Sequence, residues 1–108
     1  MSDHYRMLKD GTTEVVEDLM EWAKGMQTCN RQIANVEADG VRVSTVFLGL
    51  NYQYGKGPPL LFETMVFGGE HDEDCDRYST VDKALAGHCR MATEALGPNW
   101  NKAKGEAK

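Results

Sequence analysis

Asp-Gly occurs twice in the chain, at Asp10-Gly11 and Asp39-Gly40, each time between two short semi-apolar runs. This is a strong local signal for a β-hairpin, because Asp and Gly accept the positive φ of a tight turn whose twist matches its strands. Two hairpins commit the chain to antiparallel pairing. The first joins residues 4–8 to 12–16, and the second joins 33–37 to 41–50. In that last arm Val41, Val43, Thr45 and Phe47 share one side, and Arg42, Ser44, Val46 and Leu48 share the other. Polarity falls along the arm, as in a strand running into a core.

The remaining elements follow from punctuation and period. Residues 51–59 hold Gly55, Gly57, Pro58 and Pro59, which cannot continue a ladder, so a loop carrying Tyr52, Tyr54 and Lys56 is expected. Residues 60–67 are apolar on both faces apart from Glu63 and Thr64, the pattern of a central strand covered on both sides. Gly68-Gly69 ends it. Five of the seven residues 70–76 are acidic, which predicts a solvated loop.

Two helices are expected. Glu17 and Asp18 precede a stripe of Leu19, Trp22, Ala23 and Met26. Ser79 and Thr80 are good N-caps, Asp82 lies in a first turn, and Val81, Leu85, His88, Met91, Ala92 and Ala95 recur at helical spacing before Gly97-Pro98. The order predicts an α+β fold: a mostly antiparallel sheet built from hairpins with two helices packed on it. Residues 1–96 read as one domain and 97–108 as a polar tail, mobile unless Trp100 docks on the body.

At 108 residues the chain has room for one core. The tail from Gly97 takes three Lys and one Glu out of twelve bases and seventeen acids, leaving nine bases and sixteen acids in residues 1–96. Such a body repels nucleic acid and attracts a basic protein surface. No apolar run reaches the roughly 20 residues of a membrane helix, and Met1-Ser2-Asp3-His4 lacks the start of a signal peptide, so a cytoplasmic protein without membrane contact is expected. Cys29, Cys75 and Cys89 are odd in number and unrelated in spacing, which suits free thiols.

Several residue groups invite a chemical reading. Asp72, Asp74 and Asp76 open like a calcium loop, but Arg77 stands where that loop needs Gly and Lys83 where it needs a bidentate Glu. His71, Cys75, His88 and Cys89 are zinc-type donors, yet His88 and Cys89 are helical neighbours that point about 100° apart. His88 falls on a core-facing stripe beside Gly87, where a bond to a backbone carbonyl competes with a role in a pocket. Glu63 lies among Leu61, Met65 and Phe67 and needs a donor, with Arg42 and Arg77 as candidates, or else serves as a pocket carboxylate. Tyr52, Tyr54 and Lys56, with Arg77-Tyr78, form an aromatic and cationic set on loops, close to an anion site at the helix start by Thr80. No nucleophile elbow, Walker loop or dinucleotide fingerprint is present, which disfavours an enzyme.

The runs Val43-Ser44-Thr45-Val46-Phe47-Leu48-Gly49-Leu50-Asn51 and Gly57-Pro58-Pro59-Leu60-Leu61-Phe62-Glu63-Thr64-Met65-Val66-Phe67-Gly68-Gly69, with Arg77-Tyr78-Ser79-Thr80 and Ala86-Gly87-His88, resemble a small family encoded by tailed bacteriophages and prophages. The resemblance spans most of residues 4–96. Relatives in that family often carry Trp and Glu where Val81 and Lys83 stand, a pair that would complete a reciprocal cap. The resemblance implies a phage context and carries no catalytic role with it.

Together these readings predict an accessory phage protein of the host cytoplasm that binds a host component. It is either a counter-defence factor sequestering a nucleotide-like ligand or a protein that blocks a host protein. The predicted ligand-binding residues are Glu63, Arg77, Tyr78, Thr80 and His88, with no catalytic set, metal or cofactor. A small enzyme using Glu63 and His88 as an acid-base pair and a minor virion or assembly component are the alternatives. Pairing of an exposed strand edge would make a homo-oligomer.

Overall fold

The computed structural model describes residues 3–28, 30–53 and 55–100. Tyr54, Cys29 and the tail beyond Trp100, all of which figure in the expectations above, lie outside the described residues. The chain is α+β, with a two-stranded and a four-stranded antiparallel sheet and two helices packed on them.

Both Asp-Gly pairs make turns. β1 (Tyr5–Met7) pairs with β2 (Thr13–Val15) around Asp10-Gly11, where Asp10 accepts from the Thr12 amide and hydroxyl. β3 (Gln32–Ala38) pairs with β4 (Val41–Phe47) around Asp39 and Gly40, both at positive φ (53° and 80°), the backbone of a type I′ turn. β4 then pairs with β5 (Phe62–Phe67), and β5 with β6 (Cys75–Tyr78), giving the spatial order β3-β4-β5-β6.

β6 lies partly inside the segment expected to be a solvated loop. The acidic run is a tight turn held by Asp72 and Glu73, and the chain re-enters the sheet at Cys75. The one acid inside β6, Asp76, is accommodated at this edge by an ion pair with Arg90 at 2.8 Å.

Two helices attach to this frame. α1 (Leu19–Thr28) is capped by Asp18, whose carboxylate accepts from the Met20 and Glu21 amides. Trp22 Nε1 donates to the carbonyls of both Tyr5 and Gly49 at 3.1 Å. Gly49, two residues past β4, lies at φ +79, and a Cβ there would strike the thioether of Met26, so this glycine lets α1 approach. Leu19, expected on the buried stripe, is 58% exposed, because the helix packs mainly on the small sheet through Trp22 and Met26.

α2 (Val81–Leu96) lies across the four-stranded sheet. Thr80 is its N-cap and accepts from the Lys83 amide at 3.2 Å, a one-sided cap with no return from position 83. Its buried stripe is Ala84, Gly87, His88, Met91 and Ala92. Leu85, expected inside, is exposed, since the true stripe turns towards the smaller residues that let helix and sheet close up. Trp100 docks on the core, donating from Nε1 to Thr93 Oγ1 at 3.0 Å, so the tail's condition for order is met at that residue.

The core has two apolar clusters. Val36, Val43, Val66, Met91 and Ala92 form one, and Phe47, Leu61, Phe62, Tyr78 and Ala84 the other. On the sheet a polar rung runs between them, in which Thr45 and Thr64 stand opposite each other in register.

Candidate functional site

Strand alternation decides where each predicted residue points. β5 buries Phe62, Thr64 and Val66 beneath α2 and turns Glu63, Met65 and Phe67 to the other side. The expectation of a strand covered on both sides is therefore corrected: α2 covers one face, and the opposite face has no described helix over it. The buried polar residue of β5 is Thr64, and Glu63 looks outward.

Arg77 and Tyr78, expected together on a loop, are neighbours in β6 and so face opposite sides of the sheet. Arg77 stands opposite Glu63 and donates from Nε to Oε2 at 3.0 Å. Its guanidinium also lies 4.7 Å from the centre of the Tyr52 ring. Tyr78 points inward, buried against the position of Gly87, where a Cβ would run into its phenol ring. The space that Gly87 leaves is thus filled by Tyr78. Burial is the largest cause that raises the phenol above its ordinary pKa.

His88 is also internal, at 4% exposure. Nδ1 lies 2.8 Å from Thr45 Oγ1, which in turn contacts Thr64 Oγ1 at 2.5 Å. This ring nitrogen is thus paired with a side-chain hydroxyl. The ring packs edge-on to Trp100 at 5.9 Å.

Thr80 lies elsewhere again. It lines a cleft between the first hairpin turn and the start of α2, together with Asp10 and Asp82. The Thr12 side chain and backbone hold the Asp10 carboxyl below its usual range, and with Asp82 in the first turn the helix start already faces carboxylates. A phosphate there would meet repulsion.

The five predicted residues therefore do not line one pocket. Glu63 and Arg77 share the outer face, Tyr78 and His88 are sealed under α2, and Thr80 caps the helix. The sheet separates Glu63 from His88, so they cannot act as an acid-base pair on one substrate. Among the described residues no group of three or more His, Cys, Asp or Glu is placed to hold a metal; of the zinc-type donors, His71 is bound to Asp74 at 3.0 Å.

What the outer face does assemble is a contiguous surface. Arg42, Ser44 and Val46 of β4 stand beside Phe67, Met65 and Glu63 of β5, and Cys75 and Arg77 of β6 follow. The Arg42 guanidinium lies 4.3 Å over the Phe67 ring. Two arginine-aromatic pairs, Arg42 on Phe67 and Arg77 on Tyr52, thus flank an uncharged middle rung of Ser44, Met65 and Cys75. Cys75 is exposed as a residue, but its Sγ lies against Glu63 at 3.3 Å; desolvation first, then the bond to and charge of Glu63, push the thiol up to about 11. Met65 and Phe67 are the signal that sequence reasoning misassigned, because large apolar side chains on alternate positions were read as a second buried face.

No family model, curated protein or solved structure matches the chain. No described helix is long and apolar enough to cross a membrane.

Proposed function

We propose that the chain is an accessory protein of a tailed phage that binds a host protein in the host cytoplasm through the outer face of its four-stranded sheet. One observation carries the mode of action: the two arginine-aromatic pairs that flank Met65 on a face no described helix covers. Arg and aromatic side chains with Met are the types enriched at protein interfaces, and rigid aromatic anchors lose little entropy on binding. Three strands in register hold Arg42, Met65, Phe67 and Arg77, so that part of the surface is preorganised. The phage context rests on the resemblance of residues 43–51, 57–69, 77–80 and 86–88. Between the two forms of host binding, blocking a protein is favoured over sequestering a nucleotide, because Arg77 and Tyr78 cannot grip one ligand from opposite sides of a sheet.

Affinity capture from infected cells, followed by reconstitution with the purified candidate, tests this. A single host protein is expected to bind the native chain directly, and Arg42→Ala with Arg77→Ala weakens it by about tenfold or more, the size of a lost anchor pair. A small molecule retained in the native mass spectrum and released by Arg77→Ala would replace blocking with sequestration. Recovery of the chain from washed virions would make it a particle component.

A further inference from the structure

β3 is an edge of the four-stranded sheet, with no described strand on its far side. The two-residue turn makes Ala38 and Val41 a hydrogen-bonded pair, and alternation along the ladder then turns the N–H and C=O of Asn35 and Glu37 away from β4. The register irregularity lies between Gln32 and Ala34, so residues 34–38 form a regular stretch. No Lys or Pro blunts it, and the opposite edge, β6, is four residues long against seven.

This stretch is matched to itself. Ala34, Val36 and Ala38 share the sheet face beneath α2, opposite Thr45, Val43 and Val41, and read the same in both directions about Val36. Asn35 and Glu37 share the outer face, opposite Ser44 and Arg42. An antiparallel copy centred on Val36 therefore sets Ala34 against Ala38, Val36 against Val36, and Asn35 against Glu37 on both sides of the axis, an amide donor to a carboxylate acceptor. Centring on Glu37 would oppose two carboxylates, and centring on Asn35 would bring Ile33 of the bulge into the ladder.

We propose that β3 pairs with the β3 of a second copy across a two-fold axis at Val36, joining the two four-stranded sheets into one continuous sheet. Each Asn35–Glu37 pair exchanges both of its backbone N–H···O bonds across the axis. The groove of about 520 Å³ beside Val36, lined also by Leu96 and Trp100, adds apolar surface on the α2 side of the new ladder. The pairing does not rest on the outer-face reading, and it sets two such faces side by side.

Sedimentation equilibrium of the full chain between about 1 μM and 1 mM tests the pairing, that range covering moderate to weak affinities. The formal charge of -5 on each copy opposes association, so the runs are made at about 0.15 M salt or above, where screening is strong. A mass rising towards twice that of the monomer is expected. Glu37→Pro removes an N–H that faces away from β4, so the chain keeps its own ladder and the dimer weakens by about tenfold or more. Circular dichroism confirms that this variant is folded. Register is read by disulfide trapping in chains whose own cysteines are replaced by Ser. Asn35→Cys mixed with Glu37→Cys is expected to cross-link, because a hydrogen-bonded pair holds its Cα atoms about 5.5 Å apart, within disulfide reach. A chain that stays monomeric throughout, or association indifferent to a folded Glu37→Pro, overturns the proposal. So does cross-linking of either cysteine variant with itself in preference to the mixture, which would mean another register. Association lost in Arg42→Ala but kept in Glu37→Pro would place the contact on the outer face and overturn it too.

Discussion

Arg77 Nε donates to the Glu63 carboxylate at 3.0 Å across a registered strand pair, and this fixes both side chains on the sheet face opposite His88 and Tyr78. The predicted composite pocket is replaced by two separate structures. Outside is a surface of paired arginines and aromatics, and inside is a sealed polar rung beneath α2.

The outer face has an alkaline signature. In the folded chain the Cys75 thiol is pushed up to about 11 from 9.0, by burial first and then by Glu63. Above pH 9 the unfolded chain loses this proton while the folded chain keeps it, so the contribution is fully present below pH 9 and disappears as pH rises to about 11. Tyr78, also raised, acts in the same direction. The urea midpoint is expected to be level below that window and to fall across it, with a shallower fall in Cys75→Ser. A midpoint that rises there would contradict the assignment.

Glu63→Gln separates the pair from the thiol. Glu63 is largely shielded but Arg77 is 38% exposed, so losing their ion pair lowers stability by about 1 kcal/mol at most. Cys75 meanwhile loses an adjacent negative charge and reacts faster with iodoacetamide, by roughly tenfold for each unit its pKa falls. Burial of the sulfur remains, so the rate stays below that of a free thiol. Peptide mapping of the alkylated protein reads the change at Cys75, and an unchanged rate would mean that Glu63 does not contact it.

Thr45 is the junction of the internal rung. Thr45→Val keeps the shape but takes one hydrogen bond from Thr64 and one from His88 in a buried site, at a cost of about 1–3 kcal/mol. Thr45→Ser keeps the hydroxyl and loses a methyl, and costs about 1 kcal/mol. Denaturant unfolding of the two variants distinguishes them. Equal losses would show that the hydroxyl carries no structural weight.

Gly87→Ala is the sharpest steric test. A Cβ at this position meets the Tyr78 ring, so the variant loses about 3 kcal/mol or more unless ring and helix move apart. Combined with Tyr78→Ala, the same substitution becomes neutral or gains about 0.5–1 kcal/mol, because Ala is the better helix former. Additive losses in the double variant would place Tyr78 somewhere other than over Gly87.

Much of this architecture was legible in local chemistry. Asp10-Gly11 and Asp39-Gly40 specify their turns through backbone conformation, Asp18 and Thr80 cap their helices, and none of these depends on distant partners. The errors arose where facing matters. Leu61, Met65 and Phe67 looked like two buried faces because apolar content does not reveal whether a second layer exists to cover it. Arg77 and Tyr78 looked like a joint grip because the acids before them masked a strand, and strand alternation is what separates them. The Glu63-Arg77 partnership was anticipated from the cost of burying a carboxylate among apolar neighbours. Thr45 and Thr64 gave no comparable warning, since Thr is common in strands and its need for a partner shows only when register sets two hydroxyls together.

The most direct test of the outer-face account is hydrogen exchange of the chain free and in complex with its purified host partner. The account predicts added protection in β4, β5 and β6 and in the loop carrying Tyr52, with the solvent side of α2 around Leu85 unchanged. Protection centred on α2, with β5 and β6 unaffected, would contradict it.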